Sequence, residues 1–235
     1  MKTAFVIIAT GTVYAQYAQR LVASIREHLW FDPSVFLFTD RVQALQTVGK
    51  CFHTEPLGYP KQTLLRYHTI LSKEHILEQY DQLFYVDSDM LFVDRVELDD
   101  IASDGITATL HPGFFVNNTR GTTERRPAST AFCDYNVSYY CGGFQGGDAK
   151  AYLKAAKGMS ARIDEDTKNK ITAIWNDESH FNKWLADTPP RKTLSPSFCF
   201  PENYDGGYGW SAEKFPAKLI ALDKGKLGIK NKESR

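Results

Sequence analysis

The sequence predicts an α/β fold in one continuous domain. Three observations carry that expectation. The chain opens with an apolar run over 4–9, an amphipathic stretch over 14–29 and a second apolar run, Val35-Phe36-Leu37-Phe38. Strand, helix and strand at this spacing form a βαβ unit. Further along, Leu83-Phe84-Tyr85-Val86 runs directly into Asp87-Ser88-Asp89 and then Met90-Leu91-Phe92. A short run rich in aromatic and β-branched residues reads as a buried strand. The third observation is size: 235 residues, 43% hydrophobic and 24% charged, suffice for a large core and match ordinary globular composition.

Composition also excludes classes of function. The formal net charge is zero, so no global field draws in nucleic acid or acidic membrane. No apolar run approaches the ~20 residues that span a bilayer. Residues 1–11 read as a first strand rather than a signal peptide, because polar Thr10-Gly11-Thr12 cuts the run short. Cys51, Cys133, Cys141 and Cys199 form no CxxC pair and no zinc spacing.

Taken in order, the first strand ends at Thr10-Gly11-Thr12. This turn is not a GxGxxG fingerprint, yet the carboxyl end of a strand is where open α/β sheets receive ligands. In the helix that follows, Tyr17, Leu21, Ile25 and Leu29 recur every four residues, an apolar stripe. A short helix is expected over 43–48 and a strand over 50–53. Gly58-Tyr59-Pro60 breaks the chain. One helix is then expected over about 62–79. Arg66 lies on it and gains a role if its planar fork faces the two aspartates downstream.

After the acidic strand come a short helix or turn over 96–101 and a strand over 107–110, ending at His111-Pro112-Gly113. Residues 117–129 read as a long polar loop. In Tyr139-Tyr140-Cys141-Gly142-Gly143-Phe144-Gln145-Gly146-Gly147, glycines without Cβ let backbone approach another group closely. The stretch is either a floor for a flat ligand such as a sugar, or a tight turn or bulge. A helix is expected over 149–162. Trp175-Asn176-Asp177-Glu178 opens another, where acidic residues gain from the helix dipole. His180 on that helix reads as a hydrogen-bonded structural histidine. An apolar run over 217–222 leads into a basic tail over 223–235 containing Lys224, either solvated or folded over a diphosphate.

The chemistry centres on Asp87 and Asp89. Residues i and i+2 of an extended segment face one side. Two carboxylates so close are costly without a cation between them. Their hard oxygens suit Mg²⁺ or Mn²⁺ shared with substrate phosphates. The residues therefore suggest a metal-dependent site for a nucleoside diphosphate.

Several blocks, in order along the chain, together resemble glycosyltransferase family 6, the family of the histo-blood-group A and B transferases and the α-1,3-galactosyltransferases. They are Phe38-Thr39-Asp40, Tyr85-Val86-Asp87-Ser88-Asp89-Met90, His111-Pro112-Gly113-Phe114, Glu124-Arg125-Arg126-Pro127, the glycine-rich stretch from Tyr139 to Gly147, Trp175-x-Asp177-Glu178-Ser179-His180-x-Asn182-Lys183 and Leu194-Ser195-Pro196. The resemblance implies a GT-A fold, a single Rossmann-like domain with a mostly parallel central sheet. Residues 1 to about 94 would form a nucleotide-binding half and about 95–222 an acceptor-binding half. It implies a retaining transfer of N-acetylgalactosamine or galactose from a UDP-sugar to O3 of a galactoside in α-1,3 linkage, assisted by Mn²⁺ or Mg²⁺.

Carried over residue by residue, the resemblance places Ile8, Ala9, Thr10 and Tyr14 in a uridine pocket. Arg66 lies near donor sugar and diphosphate, with Asp87 and Asp89 as metal ligands. Ser88, Cys141, Gly142, Gly143 and Asp177 belong to the donor site. His111, Thr122 and Trp175 belong to the acceptor site, which Glu178 also borders as the carboxylate beneath the anomeric carbon. Lys224 would close over the diphosphate. Gly143 leaves room for an acetamido group, which favours UDP-N-acetylgalactosamine. The vertebrate members begin with a membrane anchor and stem. The corresponding expectation for this chain is a soluble, cytoplasmic, bacterial- or phage-type enzyme. Two other readings predict different behaviour. A catalytically inactive carbohydrate-binding module of the same fold would bind glycan without UDP or metal, while a pyrophosphorylase would need a Gly-rich, Lys/Arg-bearing first loop that the sequence lacks.

Overall fold

The computed structural model of the chain describes residues 1–116, 123–134 and 138–223. It begins with β1 (Thr3–Ile8), α1 (Gly11–His28), β2 (Ser34–Thr39), α2 (Val42–Leu45) and β3 (Lys50–His53), as the opening βαβ pattern predicts. Three short helices follow, α3 (Lys61–Leu64), α4 (Arg66–Leu71) and α5 (Glu74–Leu77), and then β4 (Gln82–Val86), β5 (Met90–Phe92), α6 (Leu98–Ile101) and β6 (Ile106–Leu110). The remainder is β7 (Tyr140–Asp148), α7 (Ala149–Lys168), α8 (Asn176–Asp187), β8 (Lys192–Leu194), a 3-10 turn (Pro196–Cys199), β9 (Phe200–Pro201) and β10 (Leu219–Ala221).

The central sheet has seven strands in the order β3-β2-β1-β4-β7-β6-β8. Parallel pairing joins β3, β2, β1 and β4 and also joins β6 to β8. Only β7 runs against its neighbours, β4 and β6. All six residues of β1 are buried, and they alternate between two cores. Phe5 and Ile7 pack with Ala18, Leu21, Val22 and Ile25 of α1. Ala4, Val6 and Ile8 pack in the cluster built by Tyr67, Tyr152, Leu153, Met159 and Phe181 from α4, α7 and α8. A parallel strand covered on both faces must be apolar throughout, which is why 4–9 carries no polar alternation. The predicted stripe of Tyr17, Leu21, Ile25 and Leu29 is buried.

Three expectations change. The helix expected over 62–79 is broken twice, because Leu65 (φ −95°, ψ 19°) and Lys73 (φ −125°, ψ 28°) leave helical geometry. Side-chain hydroxyls share carbonyls near both breaks. Leu65 O accepts from Thr69 Oγ1 at 3.2 Å as well as from Thr69 N–H at 3.0 Å, and Thr69 O accepts from Ser72 Oγ at 2.7 Å, back-bonding of a kind that bends helices. The run 83–92 is two strands in two sheets, since β5 pairs with β10 in a separate three-stranded sheet. Asp87-Ser88-Asp89 is the turn between them, closed by Met90 N–H donating to Asp87 O at 3.2 Å. The two acids therefore lie in a tight turn, not on one face of an extended strand.

The glycine-rich stretch is mostly strand, interrupted by a bulge. Ala108 of β6 faces Gln145 of β7, but the next residue, Thr109, faces Cys141. Gly142, Gly143 and Phe144 thus have no ladder partner in β6. Further along, Gly146 packs so closely on β4 that a Cβ would lie 2.3 Å from Leu83 O, a position only glycine can hold.

His180 is fully buried, but neither ring nitrogen makes a hydrogen bond among the described residues. Its Nε2 lies 3.7 Å from Asp166 Oδ2, which already accepts from Ser129 Oγ at 2.6 Å. The hydrogen bond expected for it is therefore absent from the described residues. Burial pushes His180 down to about 4, against the pull of Asp166. Between that value and the unfolded value near 6.5 the unfolded chain binds the extra proton, so this residue makes stability rise with pH over that window. Asp177, raised to about 7, slopes the other way. Subtracting the denaturant-unfolding curves of His180→Leu from those of the wild type should isolate a slope worth on the order of 3 kcal/mol across pH 4 to 6.5.

Candidate active site

The carboxyl ends of β1 and β4, the start of α8 and the bulge of β7 enclose a cleft of about 740 Å³. Its walls include Ile8, Thr10, Tyr14, Tyr59, Gln62 and Arg66 on one side. Asp87, Ser88, Asp89, Gly142, Gly143, Trp175, Asp177 and Glu178 complete them. Open α/β sheets bind ligands at this edge.

The β1–α1 turn is fixed by its own hydrogen bonds. Gly11 N–H donates to Asp40 Oδ1 at 2.7 Å, and Thr10 Oγ1 donates to Gln62 Oε1 at 3.0 Å. The Gln62 oxygen also accepts from Leu57 N–H at 3.1 Å, so the loop before α3 is tied to the end of β1. Gln62 was not among the residues the sequence singled out, since a lone glutamine carries no pattern.

Arg66 begins α4 and is buried. Its Nε lies 3.0 Å from Asp177 Oδ2 and its Nη2 lies 3.4 Å from Asp87 Oδ1. Its Nη1 donates to Gly142 O, and its Cζ sits 4.3 Å from the centre of the Tyr85 ring. The fork therefore faces the first aspartate of Asp87-Ser88-Asp89 and, in place of the second, Asp177; the expectation from sequence is a fork facing both aspartates of the turn. Tyr85, two residues before Asp87, donates to Asp87 Oδ1 at 2.6 Å.

The bulge carbonyls and amides missing from the β6 ladder are used here instead. Gly142 N–H donates to Glu178 Oε2 at 2.7 Å. Gly142 O accepts from Arg66 and from Gln145 Nε2 at 2.9 Å. Gly143 O accepts from Asp87 N–H at 2.8 Å, and Phe144 O from Thr109 Oγ1 at 2.9 Å. Behind the bulge, Tyr67 and Tyr152 hydroxyls hold Gln145 Oε1 at 3.1 and 3.3 Å. Bulges beside active sites re-aim groups in this way.

Asp177 and Glu178 occupy the first turn of α8. Burial pushes Asp177 up to about 7, against the pull of Arg66. The Arg66 contact is close but off the hydrogen-bond axis, and neither Asp177 oxygen accepts an aligned bond among the described residues. Glu178 is raised by burial, while donors on both oxygens oppose the rise. One is Gly142 N–H; the other is Tyr139, whose hydroxyl donates to Oε1 at 2.7 Å. The segment before α8 is supported by Glu124, which accepts from Ile174 N–H at 2.8 Å.

Other predicted residues lie elsewhere. Ala9 and Cys141 are buried and are not among the cleft-lining residues. His111 is also outside the lining set. It packs on Tyr139 with ring centroids 5.7 Å apart. Burial pushes it down to about 4, and its Nδ1 accepts from Gly113 N–H at 3.1 Å. A neutral ring accepting at Nδ1 carries its proton on Nε2. Trp175, by contrast, lines the cleft and is 47% exposed. Thr122 and Lys224 lie outside the described residues.

Among the described residues the cleft lining contains carboxylates but no histidine or cysteine, a donor set for a hard cation. Among the described residues no group of three or more His, Cys, Asp and Glu is placed to hold an ion. Two carboxylates completed by ligand phosphates are a usual arrangement for Mg²⁺, so the residues fit the metal that the sequence suggests. Among the described residues no helix is long and apolar enough to cross a membrane.

A family model for glycosyltransferase family 6 matches residues 62–217. The histo-blood group ABO system transferase 1 of Rattus norvegicus is 34% identical over 163 residues, 68% of this chain and 45% of the relative. The globoside alpha-1,3-N-acetylgalactosaminyltransferase 1 of Mus musculus is 30% identical over 213 residues, 83% of this chain and 60% of the relative. Its counterpart in Canis lupus familiaris is 33% identical over 173 residues, 72% and 48% of the two chains. The chain spans about half the length of the curated relatives it matches.

Proposed function

Because this chain belongs to glycosyltransferase family 6, we propose that it is a retaining transferase. It would move N-acetylgalactosamine or galactose from a UDP-sugar to O3 of a galactoside, in α-1,3 linkage. The convergence of Arg66, Asp87, Asp177 and Glu178 on the Gly142 bulge supports this reading best. One guanidinium cation and one aspartate of the acidic turn lie beside two further carboxylates, Asp177 and Glu178, in one cleft. The names of the relatives include an α-1,3-N-acetylgalactosaminyltransferase.

In this reading residues 1–94 hold the nucleotide, with Ile8, Thr10 and Tyr14 beside the uridine, and 95–222 hold the acceptor. Asp87 and Asp89 would hold Mn²⁺ or Mg²⁺, with Ser88 in the turn between them. When bound, such an ion supplies charge neutralisation to the departing diphosphate. Arg66 contributes a fixed charge to the same end, and preorganised charge is commonly the largest catalytic contribution. Asp177 is a buried acid lacking aligned donors. Hydroxyls of the donor sugar would supply them, since buried polar groups are rarely left unpaired. Glu178 either attacks C1, forming a glycosyl-enzyme, or stabilises the oxocarbenium-like centre while the acceptor enters on the leaving-group face. His111 Nε2–H and the exposed Trp175 ring suit a galactoside acceptor.

Gly143 bears on donor choice less simply than its lack of a side chain suggests. A Cβ there would lie 3.2 Å from Asp87 Oδ2 and 3.1 Å from Met90 Sδ, so Gly143→Ala would press on the acidic turn as well as on the donor. Donor preference is better read directly. The protein is incubated with Mn²⁺, a galactoside, and UDP-N-acetylgalactosamine or UDP-galactose in turn, and the product is weighed by mass spectrometry. The expected result is a glycosylated product, more from UDP-N-acetylgalactosamine, and its loss in excess EDTA. Full activity in EDTA would remove the metal from the account. Glycan binding without UDP or metal, and with no product, would favour the inactive carbohydrate-binding module.

A further inference from the structure

The sequence pattern gives Glu178 a role and assigns none to Tyr139. The structure ties the two directly. Tyr139 immediately precedes β7, is buried, and donates through its hydroxyl to Glu178 Oε1 at 2.7 Å. Its own position is well determined. Its backbone oxygen accepts from His111 N–H at 2.9 Å, and its ring meets His111 and Phe114 edge-on at 5.7 and 5.8 Å. With Gly142 N–H on Oε2, both oxygens of the carboxylate are held, one by a side chain and one by the bulge.

We propose that Tyr139 is a positioning residue for sugar transfer, whose hydroxyl fixes the orientation of the Glu178 carboxylate against the cleft. The proposal rests on the reading of Glu178 as the carboxylate beneath the anomeric carbon. The charged and titratable surroundings give the hydroxyl something to do. Arg66 faces Glu178 from α4, Asp87 from the turn after β4, Asp177 from its own helix and Cys199 from the 3-10 turn. One base among several acids and burial leaves the ionised form dependent on its two donors. Hydrogen bonds to a charged group are stronger than neutral ones, and losing one frees the carboxylate to rotate and to take up a proton. The same ring packs on His111, so in the proposed reading one residue would support both an acceptor-side group and the reacting carboxylate.

The test compares wild type, Tyr139→Phe and a 3-fluorotyrosine-139 protein, which keeps the shape while strengthening the donor. In Tyr139→Phe, kcat should fall on the order of tenfold or more while KM for UDP-sugar and acceptor stays unchanged. Melting curves check that the variant is folded. In ¹³C-glutamate-labelled protein, the Glu178 carboxyl signal is assigned by its loss in Glu178→Gln. Its titration midpoint should move up in Tyr139→Phe and down in the fluorotyrosine protein. Unchanged kcat and an unmoved midpoint in an active enzyme would overturn the positioning role and leave the transferase reading standing. A wild type that transfers no sugar from any UDP-sugar would overturn the transferase reading and the catalytic use of Tyr139 with it.

Discussion

Glu178→Gln is expected to lower kcat for sugar transfer by on the order of 10³-fold with little change in KM or melting temperature. Glutamine keeps the shape of the side chain. Its oxygen can accept from Gly142 N–H, and its amide can donate to the Tyr139 hydroxyl, so both contacts at 2.7 Å survive in altered form. What disappears is the negative charge facing C1, which matters only as positive charge develops there. Steady-state kinetics at saturating donor and acceptor read the effect, and a loss confined to kcat marks an interaction made in the transition state. An undiminished kcat would refute both the nucleophile and the electrostatic role.

Arg66→Met should destabilise the fold by roughly 3–5 kcal/mol, the usual cost of removing one partner of a buried ion pair. Methionine fills much of the space but leaves Asp177 and Asp87 facing each other without the intervening cation. Gly142 O keeps only the Gln145 donor. The loss should depend on pH in a definite direction. Arg66 holds Asp177 down against burial, so without it the acid titrates above about 7. A raised acid binds its proton in the folded state, which favours folding at lower pH and penalises it as pH rises. Urea unfolding should therefore show a larger deficit at pH 8 than at pH 6. Adding Asp177→Asn to Arg66→Met should recover part of it. A deficit equal at both pH values would mean that Asp177 does not sense Arg66.

The strand at 35–38 and the stripe on α1 were legible because burial on both faces of a parallel sheet, or on one face of a helix, writes its period into the sequence; the strand at 50–53, a half-exposed edge strand, was legible only as a short run in the right place. Asp87, Asp89, Asp177 and Glu178 were legible as acids at element ends. The breaks at Leu65 and Lys73 were not, because no glycine or proline marks either position. The bulge was legible only as an alternative, since glycine pairs mark freedom of backbone and not its use. Tyr85 had a local signal, lying two residues before Asp87 on the same strand. Tyr139 had none, because its partner is 39 residues away and only the pairing of β7 with its neighbours brings them together. Gln145 stayed hidden for the same reason, between two tyrosines from α4 and α7.

Gly142 touches Glu178 through its nitrogen and Arg66 through its oxygen. A Cβ at this position would lie 3.1 Å from Arg66 Nη1 and 3.4 Å from Glu178 Oε2. Any side chain there would therefore press on the guanidinium and the carboxylate at once, so one methyl group would disturb both walls of the cleft.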